Sequence, residues 1–194
     1  MPYYVLGNFF LYSIINAITP GPGNILALNT VTNYGWKKGR PLFGGIFAGY
    51  YVVQIICAAF VYGISAFLPN VLNVIKYIGA AYIFFLAIHI ARSKPPSECM
   101  EKSASFIRGF ILQFMNIKIY VFGITALTGY ITDYSTSLWV LLLFEIIIAT
   151  IGTISTTLWI GMGMLIQKVY KKYYRIINIV LTLTLLECVL SILK

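Results

Sequence analysis

Residues 19–24 read Thr19-Pro20-Gly21-Pro22-Gly23-Asn24, and they interrupt a long apolar run that begins near Tyr3 and resumes at Ile25-Leu26-Ala27-Leu28. Two prolines and two glycines in five residues oppose a continuous helix, because each proline removes an amide donor and each glycine adds backbone freedom. As a single helix, residues 3–33 would extend about 46 Å at 1.5 Å per residue, against a hydrocarbon core of about 30 Å. The stretch therefore predicts a span that either tilts strongly or breaks. In the broken form Thr19 caps a second half-helix with Pro20 at its first position, and the N–H groups at that end suit a carboxylate. A plain proline kink that helps packing is the alternative.

The membrane setting follows from composition. The chain has 194 residues, of which 60% are hydrophobic and only 10% charged, and its mean hydropathy is +0.87. Soluble domains carry about 25% charged residues, so this chain lacks the polar surface to cover a water-facing body. The net charge of +9 does not point to nucleic acid, because the basic residues sit in short connectors between apolar segments. The start Met1-Pro2-Tyr3-Tyr4 has no basic n-region, and no small-residue cleavage site follows it, so the first apolar segment is expected to be retained. Cys57, Cys99 and Cys188 form no C-x-x-C pair and read as small apolar fillers. With one histidine in the chain, neither a metal site nor a cofactor is expected.

Six apolar segments meet the requirement of about 20 residues per span: roughly 3–33, 41–67, 71–91, 105–130, 137–166 and 174–193. The connectors are Tyr34–Arg40, Leu68–Asn70, Arg92–Ala104, Ile131–Thr136 and Gln167–Tyr173. None holds a soluble domain, so residues 1–194 are expected to form one all-α membrane domain. Eleven of the fourteen Lys and Arg residues lie at the first, third and fifth connectors, which places those connectors in the cytoplasm and both termini outside. Six spans with a basic linker in the middle divide into halves of three, about 1–92 and 105–194 around a cytoplasmic linker at 93–104. Three spans per half force opposite orientations, the arrangement of an inverted repeat with a site near the midplane. The polar insertion Asn116-Ile117-Lys118 in span four stands where the break stands in span one.

Several side chains could carry chemistry. Lys118 lies about 18 Å along its span, and a cation at that depth costs about 2.5–3.5 kcal/mol unless it faces water or the bundle interior. Glu145 in span five and Glu187 in span six could pair with it, hold a substrate ammonium or move a proton. His89, one turn before Arg92, reads as an interfacial polar residue. Gly39, Gly45 and Gly49 give span two a small face for close helix packing, and Tyr50, Tyr51 and Gln54 follow on the same helix. No phosphate loop, Ser/His/Asp set or H-E-x-x-H motif is present, so transport fits better than enzymatic chemistry.

Over its whole length the chain resembles the LysE/RhtB family of bacterial amino-acid exporters. Thr19-Pro20-Gly21-Pro22 is similar to that family's T-P-G-P signature, and "GWKKGRPLFGGIFAG" to its basic loop and glycine-spaced second helix. "YIGAAYIFFLAIHIARS" resembles the third helix, and "FIRGFILQFMNIKIYVFGITAL" the fourth. In the fourth, Ile117 stands where proline is usual in the family, between Asn116 and Lys118. Tyr50 and Tyr51 occupy the region where several relatives that move basic amino acids carry an acid. The resemblance implies proton-motive-force-driven efflux of amino acids across the cytoplasmic membrane, by proton antiport. Thr19, Pro20, Gly21, Pro22, Asn24, Asn116 and Lys118 are the expected substrate-binding residues, with Glu145 and Glu187 as candidates for the ammonium or the proton. The implied partners are a small-molecule substrate, protons and the lipid bilayer, and a homo-oligomer is compatible with the sequence. An exporter of a cation or another solute, and a non-transporting membrane scaffold subunit, are the alternatives.

Overall fold

The computed structural model describes residues 1–63, 77, 81, 83–92 and 104–193, leaving aside the side chains at 167–171, 188 and 191–193. The expected connector Leu68–Asn70, about half of span three and residues 93–103 of the linker lie outside the described residues, as do Cys99 and the side chain of Cys188.

Every regular element among the described residues is helical. Helix α1 spans Tyr3–Ile18 and α2 spans Pro22–Gly63. Residues 83–91 form α3. Helices α4 (Phe106–Phe114) and α5 (Ile117–Tyr130) follow, and α6 runs Leu138–Leu193. By length and composition Pro22–Gly63 and Leu138–Ile166 can each cross a membrane, and α4 with α5 make a third crossing if the bent pair counts as one span.

Two of the expected connectors shrink to single residues. The stretch Tyr34–Arg40 is helical apart from Gly35, whose φ of 73° and ψ of 173° turn the chain. Side chains rarely adopt that region, so the turn needs glycine. The stretch Gln167–Tyr173 likewise stays helical up to Tyr173, at φ −116° and ψ 23°. Each stretch carries three Lys or Arg residues, and a basic cluster marks a membrane face without needing a loop.

The segment after the first break sits at the centre. All residues from Gly21 to Asn33 are buried, so this half of α2 is covered on every side, whereas α1 buries only Phe9, Ser13 and Ala17. Ile25, Leu28 and Val31 pack with Phe43 and Ile46 of the second half of α2, with Leu86 of α3 and with Ile160 of α6 in one apolar core. Glycines set the closest helix crossing. A Cβ on Gly45 would collide with the Phe106 carbonyl oxygen, one on Gly109 would collide with the Leu42 carbonyl, and one on Gly49 would sit 2.9 Å from the Phe110 carbonyl. The far half of α2 and α4 therefore touch backbone to backbone. Gly39 faces only the ring of Phe43 on its own helix.

Candidate functional site

The chain breaks between Ile18 and Pro22, and side chains from three helices take up the carbonyls that the break releases. The Ala17 carbonyl accepts from Asn24 Nδ2 at 3.0 Å and from Ser155 Oγ at 2.8 Å. The Ile18 carbonyl accepts from Trp159 Nε1 at 3.2 Å, and the Thr19 carbonyl from Lys118 Nζ at 2.8 Å. Irregular backbone at membrane depth survives only where such partners or water satisfy it. Thr19 itself turns backward: its hydroxyl donates to the Ile15 carbonyl at 2.7 Å, closing α1 rather than capping the next half-helix. Pro22, not Pro20, takes the first helical position, and the Gly21 carbonyl accepts the first bond of α2, from Ile25 N at 2.9 Å. Proline fits there because the first-turn N–H groups have no intrahelical acceptor.

Span four breaks as well. Helix α4 ends at Phe114, α5 begins at Ile117, and their axes differ by 52°. Asn116 is the hinge residue at φ −91° and ψ 86°. No proline is needed, because Asn116 leaves helical geometry by itself and polar groups steady the gap. Asn116 Nδ2 donates to Gln113 Oε1 at 3.3 Å, and Gln113 Nε2 to the Ile46 carbonyl at 3.4 Å.

The two breaks meet around a small polar cavity of about 20 Å³, room for about one water molecule. Its wall takes Asn16 and Ala17 from the end of α1, Gly21, Gly23 and Asn24 from the start of α2, and Gln113, Asn116 and Lys118 from the second break. Tyr50 and Thr156 complete the polar lining, and Thr156 Oγ1 donates to Asn24 Oδ1 at 2.8 Å. Lys118 lies flat over the first break because Gly21 has no side chain: a Cβ there would stand 3.2 Å from Lys118 Cδ and 3.4 Å from Nζ. The ammonium belongs to the second residue of α5, where the helix dipole opposes it, yet it sits on the C-terminal carbonyls of α1, where the dipole favours it. Asn116 Oδ1 is buried without a hydrogen-bond partner among the described residues.

The profile of the LysE type translocators matches residues 14–191 of the 194. The chain belongs to this family. It is 34% identical over 189 residues, covering 97% of each chain, to cysteine/O-acetylserine efflux proteins of Escherichia coli O139:H28 (strain E24377A / ETEC) and of Escherichia coli (strain K12). The protein of that name from Shigella flexneri serotype 5b (strain 8401) gives the same figures. No solved structure gives a significant match. The chain is thus a translocator of a membrane family, not an enzyme.

Within this translocator, the expected residues Gly21, Asn24, Asn116 and Lys118 come together on one cavity. Thr19 and Pro20 are exposed beside it, and Pro22 is buried at the start of α2. Glu145 is fully buried, and neither of its oxygens accepts a hydrogen bond from Lys118 or any other described residue. Glu187 is exposed on the last stretch of α6, and His89 is exposed on α3. Sequence reasoning passed over Gln113, Ser155, Thr156 and Trp159, which hold the two breaks together. The run Ser155-Thr156-Thr157 inside an apolar helix was the available signal, since hydroxyls there must find acceptors.

Proposed function

We propose that this translocator exports small zwitterionic amino acids with uncharged side chains from the bacterial cytoplasm. The observation that carries the reading is the meeting of two broken helices around Lys118. Each break brings a helix N-terminus and a helix C-terminus to the cavity, so partial positive and negative charge stand side by side. A zwitterion matches that pairing. Its carboxylate fits Lys118 and the first N–H groups of α2, and its ammonium fits the C-terminal carbonyls and the unpartnered Asn116 Oδ1. The relatives named for cysteine and O-acetylserine efflux favour small side chains, and Tyr50 on the cavity wall offers no charge to a cationic one.

In this reading the chain is one domain of six spans in the cytoplasmic membrane, with both termini outside and two inverted halves. The two breaks are then equivalent positions of the repeat. Export is driven by proton antiport, with Glu145 and Glu187 as the membrane carboxyls able to carry the proton. The described conformation is closed to substrate, because a cavity of about 20 Å³ holds water and no amino acid. Transport then requires the half-helix between Gly21 and Gly35 to move against α5. The test is counterflow in proteoliposomes against a panel of labelled amino acids, with and without a pH gradient. Exchange of small neutral amino acids, with arginine and lysine excluded, is the expected result. Exchange of inorganic cations, or no flux at all, overturns it.

A further inference from the structure

Beside the cavity, three helices enclose a second polar group with a different character. Glu145 of α6 is fully buried and Gln54 of α2 is 1% exposed. Both carboxyl oxygens and both amide atoms lack hydrogen-bond partners among the described residues. Their oxygens converge on Gly123 of α5. A Cβ on that glycine would stand 2.9 Å and 3.0 Å from the two Glu145 oxygens and would collide with Gln54 Oε1. Four unsatisfied polar atoms in one buried place are costly, and the cost is greatest for an ionised carboxylate with no donor.

Among the described residues, no cation stands within hydrogen-bond reach of the Glu145 oxygens. From α2 come the Tyr50 hydroxyl and the Cys57 thiol, both within electrostatic range of Glu145. From α5, Tyr120 stands near Cys57, while Lys118 lies five residues before Gly123, roughly 140° around the helix, with its ammonium on the Thr19 carbonyl. A carboxyl that carries its own proton removes the difficulty. Its O–H can donate to the Gln54 carboxamide oxygen, so one hydrogen bond satisfies a donor and an acceptor together.

We propose that Glu145 and Gln54 form a proton-binding site, separate from the substrate cavity, in which the protonated Glu145 carboxyl donates to Gln54 across Gly123. The step is a reversible protonation: a proton from the aqueous phase joins the carboxylate, and its departure breaks the hydrogen bond. Loss of the bond leaves an ionised carboxylate that must reach water or a cation, which moves α6 relative to α2. Tyr50 links the two sites. It lines the cavity, stands one turn before Gln54 on the same face of α2, and packs its ring on Gly152, two turns beyond Glu145 on α6. A shift of α6 at Glu145 therefore reaches the cavity wall through Tyr50.

This site rests on the antiport proposed above, and the experiment separates the two. Glu145→Gln is close to isosteric and keeps a hydrogen-bonding group. In proteoliposomes it is expected to retain labelled amino-acid counterflow while losing accumulation driven by a pH gradient and the accompanying proton flux. Gln54→Leu is expected to retain counterflow while shifting the pH profile of gradient-driven transport. Wild-type transport that ignores the pH gradient overturns antiport itself. A coupled wild type with coupling intact in Glu145→Gln overturns this site alone, as does equal loss of counterflow and coupled transport. An unshifted profile in Gln54→Leu removes Gln54 from it.

Discussion

Lys118 spans the gap between the two broken helices and donates to the Thr19 carbonyl at 2.8 Å. It therefore holds the break and presents positive charge at the cavity, and the two tasks separate by substitution. Lys118→Ala removes a charge-assisted bond worth about 1.5–3 kcal/mol, so export in proteoliposomes should fall by about tenfold or more while the protein still inserts. Unchanged transport would remove Lys118 from the site. Thr19→Ala makes a sharp contrast, because the Thr19 hydroxyl is committed to its own helix at the Ile15 carbonyl. Its exposed position predicts a change within about 0.5 kcal/mol and near-normal transport in the same assay. At this scale the sequence was legible where a residue was out of place. A lysine at mid-span and Asn116 beside it are conspicuous in an apolar helix. Gln113, Ser155 and Thr156 were not, because a short polar side chain can bond its own helix and spacing does not reveal which carbonyl across the bundle it will find.

At the scale of the helices, the first break was legible from its prolines and glycines, and the second was not, because Ile117 is an ordinary helix residue. The geometry explains the omission. Ile117 opens α5, where an N–H has no intrahelical acceptor, so proline is compatible but unnecessary. Ile117→Pro should therefore keep transport, the gain of about 0.4–1 kcal/mol from restricting the unfolded chain offsetting part of the packing lost at the buried Ile117 side chain, so that the protein still inserts and exchanges substrate in proteoliposomes. Loss of transport in a protein that still inserts would show that the break does not accept proline there. The glycines of α2 were read as one packing face, but they divide. Gly45→Ala forces a methyl into the Phe106 carbonyl and should cost about 1–3 kcal/mol, since backbone cannot step aside. Gly39→Ala meets only the Phe43 ring, which can rotate, and should unfold in detergent close to the wild type. The partner glycine, Gly109, has no spaced companion in α4, so only the contact itself identifies it.

For the whole molecule, charge distribution is the feature that periodicity cannot replace. Basic residues at Lys37, Lys38 and Arg40 flank the Gly35 turn, whereas the loop between α5 and α6 carries Asp133 and no cation. The half-helix from Pro22 and helix α5 both start at the cavity and run away from it, the one toward the basic turn and the other toward the acidic loop. In the proposed topology the two broken spans cross the bilayer in opposite senses, with the basic end in the cytoplasm by the positive-inside bias. In the proposed antiport, orientation fixes which end of the site opens to the cytoplasm, while the gradients of proton and substrate set the direction of net flux. Thr136 is exposed in the acidic loop and Lys37 at the basic turn, so each accepts a reporter cysteine without touching the core. In a background with Cys57, Cys99 and Cys188 replaced, a membrane-impermeant maleimide added to intact cells should label Thr136→Cys and leave Lys37→Cys unmodified until the membrane is opened. The reverse pattern would place both termini in the cytoplasm and overturn the proposed topology. Labelling of both sites in intact cells would mean that the chain inserts in two orientations, and the charge bias would then not fix a single topology.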